Sequence, residues 1–191
     1  DYAAESPLDR APLELAQIFQ RAKQTSQAFL CWLAGSYPEL KLRPDMMGTA
    51  VEFFYQPAGS GPLNADYLMA EDVVTPGGIR SMENPAAYDQ PDHYSKRIIV
   101  PVTNDDGGVH TNSGIPNHAF YLAIEGGTNR TSRLTVQGVG RANREQIEKT
   151  MYRAFTQLIP ANATFSVARA ETIQAATDLY GSSSPAVRAL I

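Results

Sequence analysis

The chain has 191 residues with 43% hydrophobic and 19% charged side chains and a net charge of -4, the make-up of one globular domain or one large lobe with a sizeable core. The small negative charge and the absence of a Lys/Arg cluster argue against nucleic acid or an anionic membrane as the main partner, and no run reaches the ~18 apolar residues of a membrane span. The lone cysteine, Cys31, excludes an internal disulfide and sits in the apolar run Phe29-Leu30-Cys31-Trp32-Leu33, where a packed thiol is expected.

In chain order, Pro12 to Leu33 reads as a helix with an apolar stripe through Leu15, Ile18, Phe19, Ala22, Phe29, Leu30 and Leu33, stopped by Gly35. Asp45 to Tyr55 reads as a second apolar helix that runs into the breaker-rich stretch from Gln56 to Pro62. Leu63 to Asn112 reads mostly as loop, with Arg97 to Val102 as a short strand; a loop of that length is usually functional or held by an ion. Gly114 to Glu125 is an apolar helix ending at Gly126-Gly127. Asn143, with Gln146 at capping-box spacing, is expected to open a helix whose face is Ile147, Met151, Ala154, Phe155 and Leu158, closed by Pro160. Thr164 caps an alanine-rich helix that ends at Gly181, and Ser184-Pro185 opens a last short helix. The expected fold class is mainly α, with long irregular loops and little strand.

The segment richest in chemistry runs from Asp105 to His118. Asp105 precedes His110 by five residues across Gly107-Gly108, and two glycines allow a sharp turn with φ > 0 that returns the carboxylate to the imidazole. A carboxylate on one ring nitrogen fixes the tautomer and favours the imidazolium, leaving the other nitrogen to donate to developing negative charge. From the spacing alone, a polar loop whose histidine caps a helix is the alternative.

Together with Arg80-Ser81-Met82, Asp92-His93-Tyr94-Ser95-Lys96-Arg97, Glu125-Gly126-Gly127, Val139-Gly140-Arg141, Tyr152-Arg153-Ala154 and Ala176-Thr177-Asp178-Leu179-Tyr180-Gly181, this segment resembles the C-terminal helical lobe of thermolysin-like zinc metallopeptidases. The resemblance is strong over 45–191 and weak over 1–44, and the chain reads as one such lobe without the family's β-rich N-terminal lobe. The resemblance implies a secreted, extracellular metalloendopeptidase that cleaves on the amino side of hydrophobic residues with zinc-activated water. It implies His110 as the oxyanion donor, Asp105 as the carboxylate orienting it, Arg80 as the substrate-carbonyl ligand, and Ile79 as a lining residue of the adjoining pocket. Asp45 matches an aspartate that steadies a zinc-ligand histidine, and is read here as a helix N-terminal carboxylate favoured by the dipole. Glu52, Asp66 and Glu71 match calcium ligands, while a further acidic ligand position is occupied by Leu68; at most one calcium is expected.

The family's zinc needs H-E-x-x-H on a helix, with a glutamate from the next helix. No H-E-x-x-H occurs, and the three histidines are His93, His110 and His118. Counting back from Asp45 places the motif on Gln17-Ile18-Phe19-Gln20-Arg21, the third ligand on Lys41 and an oxyanion tyrosine on Trp32. Gln17 and Arg21 are poor zinc ligands, and Arg21 and Lys41 repel a dication. His93 is read as structural packing; a cryptic site from His110 and His118 would supply only two ligands, too few for a closed zinc site. Zinc is therefore expected to be absent, and the chain alone inactive, as a degenerate or incomplete form of the enzyme. A non-catalytic module that binds a peptide, a protein or a complementary N-terminal lobe through the same cleft wall is the alternative. The abrupt loss of resemblance before Asp45 would also follow from truncation, rearrangement or a local change of reading frame in the gene.

Overall fold

A computed structural model describes residues 43–61, 63–72, 74 and 77–191. The expected helix from Pro12 to Leu33, and the positions of Gln17, Arg21, Cys31, Trp32 and Lys41, lie outside the described residues. The fold is mainly helical, as expected. Its helices are α1 (Arg43–Tyr55), α2 (Asp105–Asn112), α3 (Gly114–Glu125), α4 (Arg144–Arg153), α5 (Phe165–Tyr180) and α6 (Pro185–Leu190). Two antiparallel two-residue ladders complete it: β1 (Leu68–Met69) with β2 (Arg80–Ser81), and β3 (Gly127–Thr128) with β4 (Thr135–Val136).

The apolar α3 is the central helix. Phe120, Ala123 and Ile124 are almost fully buried, and α3 touches α1, α2, α4 and α6. α1 turns Met46, Thr49 and Phe53 inward at helical spacing, where Met46 and Phe53 join Ile147 and Met151 of α4 in the core. α4 continues into a π-helical turn, Ala154–Leu158, before Pro160, and α5 and α6 pack in succession behind it. Thr164 and Ser184 cap α5 and α6 as expected, accepting from Val167 N and Val187 N at 3.3 Å each.

Two local expectations are corrected. Arg97 to Val102 is not a strand: among the described residues it has no strand partner. In place of one, the buried Asn112 side chain accepts from Ile98 N and donates to Ile98 O, both at 2.8 Å. The capping box at Asn143 does not form either. A 3-10 turn over Arg141–Asn143 leads into α4, and Asn143, at φ -112° and ψ 13°, sends its Nδ2 back to Val139 O at 3.0 Å. An N-cap side chain needs extended backbone to reach the following amides, and this residue lacks it.

Candidate cleft wall

Asp105 and His110 meet as their spacing predicts, and the device is larger than a glycine pair. Asp105, Asp106, Gly107 and Gly108 all have positive φ (51°, 46°, 84° and 85°), a left-handed turn leading into the right-handed part of α2. Only glycine adopts this region without cost, and aspartate is among the side chains that tolerate it. The turn folds Asp105 back so that Oδ1 takes the His110 Nδ1 contact and Oδ2 accepts from His110 N at 3.1 Å. With Nδ1 held, the remaining ring nitrogen, Nε2, belongs to a side chain that is 58% exposed.

Burial acts to raise the Asp105 pKa, but the hydrogen bond and charge of His110 outweigh it and hold the carboxyl below its usual value. A depressed acid stabilises the fold above its ordinary titration range and loses that contribution as pH falls through the lower folded value. The turn is therefore expected to persist at mildly acidic pH and to open only below the ordinary aspartate range. Carboxyl NMR titration checks this: Asp105 should titrate low in the native chain and rise toward the normal range in His110→Ala, which keeps only the backbone donors. A normal Asp105 value in the native chain would contradict the pairing.

Arg80 is placed by the β1–β2 ladder, where it pairs with Met69, and its side chain crosses to α1. Arg80 Nη1 donates to Asp45 Oδ1 and Oδ2 at 3.1 and 3.0 Å, and Asn117 Nδ2 of α3 donates to Asp45 Oδ2 at 2.7 Å. Asp45 is thus not just a helix-terminal carboxylate. It is 3% exposed and joins three elements, because a buried charge needs a counter-charge and hydrogen bonds. Ile79, next to Arg80, is 48% exposed.

The expected calcium residues divide. Glu52 of α1 and Glu71 converge with Asp72, one ligand atom from each lying within 4.8 Å of the others. Asp66 is not in that group; its Oδ1 accepts from Leu68 N at 2.7 Å. The adjacency of Glu71 and Asp72 was the one sequence signal for the third member. Among the described residues this is the sole convergence of three or more His, Cys, Asp or Glu donor atoms, and it is all carboxylate.

The other two histidines are structural. His118 is 5% exposed, with Nδ1 donating to Met82 O at 2.9 Å and its ring stacked on Tyr121. His93 precedes the 3-10 turn Tyr94–Lys96 and accepts from Ser95 N at 3.2 Å, while its neighbour Asp92 accepts from Thr131 Oγ1 at 2.6 Å. All three histidines are thus placed, and none stands with two further nitrogen, sulfur or carboxylate donors among the described residues. A catalytic zinc takes three such ligands, and the described residues bring no such set together around a histidine. Sequence reasoning did not find Asn112, Asn117 or the Asp45–Arg80 pair, whose members lie 35 residues apart.

The thermolysin metallopeptidase α-helical domain matches residues 43–191. The chain is 43% identical over 150 residues to the thermostable neutral protease NprT of Geobacillus stearothermophilus, covering 76% of this chain and 25% of that protein. It is 44% identical over the same length to a bacillolysin of Bacillus cereus, with 76% and 24% covered, and 43% identical to a thermolysin of Alicyclobacillus acidocaldarius, with 76% and 25% covered. The chain spans about a quarter of the length of these relatives. With a match of this extent and the helical fold described above, the chain belongs to the thermolysin metallopeptidase family and carries its α-helical domain.

Proposed function

We propose that residues 43–191 form one wall of an extracellular peptide-binding cleft in a thermolysin-like metallopeptidase, and that this chain by itself does not hydrolyse peptides. The observation that carries the reading is the exposed His110 ring held by Asp105 on a left-handed turn. In the cleft, His110 is the donor to a substrate oxygen and Asp105 keeps its ring in place. Arg80 uses Nη1 on Asp45, and the rest of its guanidinium is the ligand for a substrate carbonyl; Ile79 lines the pocket beside it. Zinc-activated water has no donor set among these residues, so no hydrolytic step is assigned to them.

A fluorogenic peptide with an internal hydrophobic residue, incubated with the full chain and added zinc, tests the proposal. No turnover above the His110→Ala background is expected. Zinc-dependent turnover that a chelator abolishes would overturn the inactivity.

The Glu52, Glu71 and Asp72 carboxylates are proposed to hold one calcium, since a convergent all-oxygen donor set suits a hard cation. With a Kd near 1 mM, 10 mM calcium stabilises the native state by about 1.4 kcal/mol. Thermal unfolding should shift upward with calcium in the native chain and not in Glu71→Gln. Equal behaviour of the two would contradict the site.

A second reading, a non-catalytic peptide- or protein-binding module, is favoured by the apolar side chains left outside the core, among them Phe54 at 75% and Tyr55 at 59% exposure. A complementary N-terminal lobe is one partner such a surface would accept.

A further inference from the structure

The turn before His110 is built on successive positive φ angles, and two of its residues, Asp105 at 51° and Asp106 at 46°, are not glycine. Side chains persist in that region only where the surroundings over-determine the backbone. Within the turn, Gly107 N donates to Asn104 O at 3.0 Å and Asp105 returns to His110. A further hold comes from Asn112, a buried residue at the end of α2, two positions after His110. Its Oδ1 accepts from Ile98 N and its Nδ2 donates to Ile98 O, both at 2.8 Å. Both ends of the amide are thus spent on one residue of the segment that precedes the turn.

This clamp lies against the turn itself. A Cβ built on the buried Gly108 would stand 3.2 Å from Asn112 Nδ2 and 3.5 Å from Ile98 O, the donor and acceptor of one of the two bonds. It would also stand 3.4 Å from Val100 Cγ2, and one built on Gly107 would stand 4.0 Å from Val100 O. Gly107 and Gly108 therefore rest on a floor made of Ile98, Val100 and the Asn112 amide. They are the residues of the turn with the most backbone freedom, and they link Asp105 to the helical turn that bears His110. What seats them sets how far the carboxylate returns. On the helix side, Ser113 Oγ donates to His110 O at 2.6 Å, so the backbone of His110 is held from both directions.

We infer that Asn112 is a positioning residue for His110: by tying Ile98 beneath Gly108 it holds the turn in the shape that keeps Asp105 on Nδ1 and presents the ring to substrate. The inference rests on the reading of His110 as a donor to a substrate oxygen. Asn112 touches no substrate in this scheme and acts through the backbone, as support that preorganises a polar group must.

The test reads the His110 ring in the isotope-labelled full chain, at a pH where the ring is neutral. A carboxylate accepting at Nδ1 keeps the proton there, whereas an unheld imidazole favours Nε2–H, and nitrogen–carbon correlation spectra tell the two apart. The Nδ1–H form is expected in the native chain. Asn112→Ala should convert it to a mixture rich in Nε2–H, move the Asp105 titration up toward its ordinary range, and weaken binding of the internally hydrophobic peptide about tenfold by fluorescence anisotropy. Asn112→Ser, which leaves a small polar group and room for water, should do the same and replaces the alanine variant if that one does not fold. Ala175→Gly is the control: it lowers stability from a fully buried site on α5, which packs on α4 and α6, and should leave the ring and Asp105 unchanged. A native ring in the Asn112 variants would show that the clamp contributes stability alone and would overturn the inference, as would an equal change in Ala175→Gly or an Nε2–H ring in the native chain. A ring that depends on Asn112 in a chain that binds no peptide would leave the positioning standing and overturn the cleft reading. Peptide shifts at His110 alongside a native ring in the Asn112 variants would do the reverse.

Discussion

Asp45→Ala is expected to destabilise the domain by about 3–5 kcal/mol, because it strands the Arg80 guanidinium and the Asn117 amide in a largely buried site. Asp45 is 3% exposed and Asn117 1%, so water cannot replace the lost acceptor without opening the contact between α1 and α3. For a domain of this size the loss corresponds to a fall in Tm of about 10 °C. Asp45→Asn keeps the shape and one acceptor oxygen and should lose about 1–2 kcal/mol. Chemical denaturation of the three proteins checks the order. A cost for Asp45→Ala below about 1 kcal/mol would mean that the Asp45–Arg80–Asn117 contact is not formed in solution. The same contact explains why Arg80 is a poor target for dissecting peptide binding: removing it also orphans a buried carboxylate.

Gly138→Ala should be comparably severe, at about 3 kcal/mol or more. A Cβ there would stand 2.3 Å from Gly126 N and 2.5 Å from Ile124 O, both backbone atoms that cannot rotate away. The segment behind Gly138 satisfies the end of the central helix: Val139 N donates to Ala123 O at 2.9 Å and Gly140 N to Ile124 O at 2.8 Å. Pushing it outward breaks those bonds and lifts the buried Val139 from the core. Gly140→Ala is the control. Its Cβ meets nothing within 4 Å, and only its φ of 83° opposes the substitution, at a cost of about 1 kcal/mol. Equal losses for the two variants would show that the close approach at Gly138 is relieved at no cost.

What was legible in the sequence is what short-range physics decides. The apolar run of α3, the hydroxyl caps at Thr164 and Ser184, the stop at Gly181 and the return of Asp105 to His110 each depend on residues a few positions apart. What was not legible depends on tertiary approach. Asp45 reads locally as a helix N-terminal acid, and nothing within a turn of it announces Arg80 or Asn117, 35 and 72 residues away. Arg97 to Val102 has strand composition, but a strand needs a partner, and the neighbour that arrives is the side-chain amide of Asn112. The replacement of Asp66 by Asp72 beside Glu52 and Glu71 has the same origin. Side chains in an irregular loop follow no period, so residue type alone cannot say which carboxylate turns inward.

The zinc content of the purified full chain, loaded with excess zinc, dialysed and read by elemental mass spectrometry, tests the central claim most directly. The account predicts near-zero zinc, because among the described residues no histidine joins two further donors and the one convergent donor set is three carboxylates suited to a hard cation. About one tightly held zinc per chain, lost together with peptide turnover on chelation, would contradict it and would mean that residues outside the described part supply a metal centre facing His110.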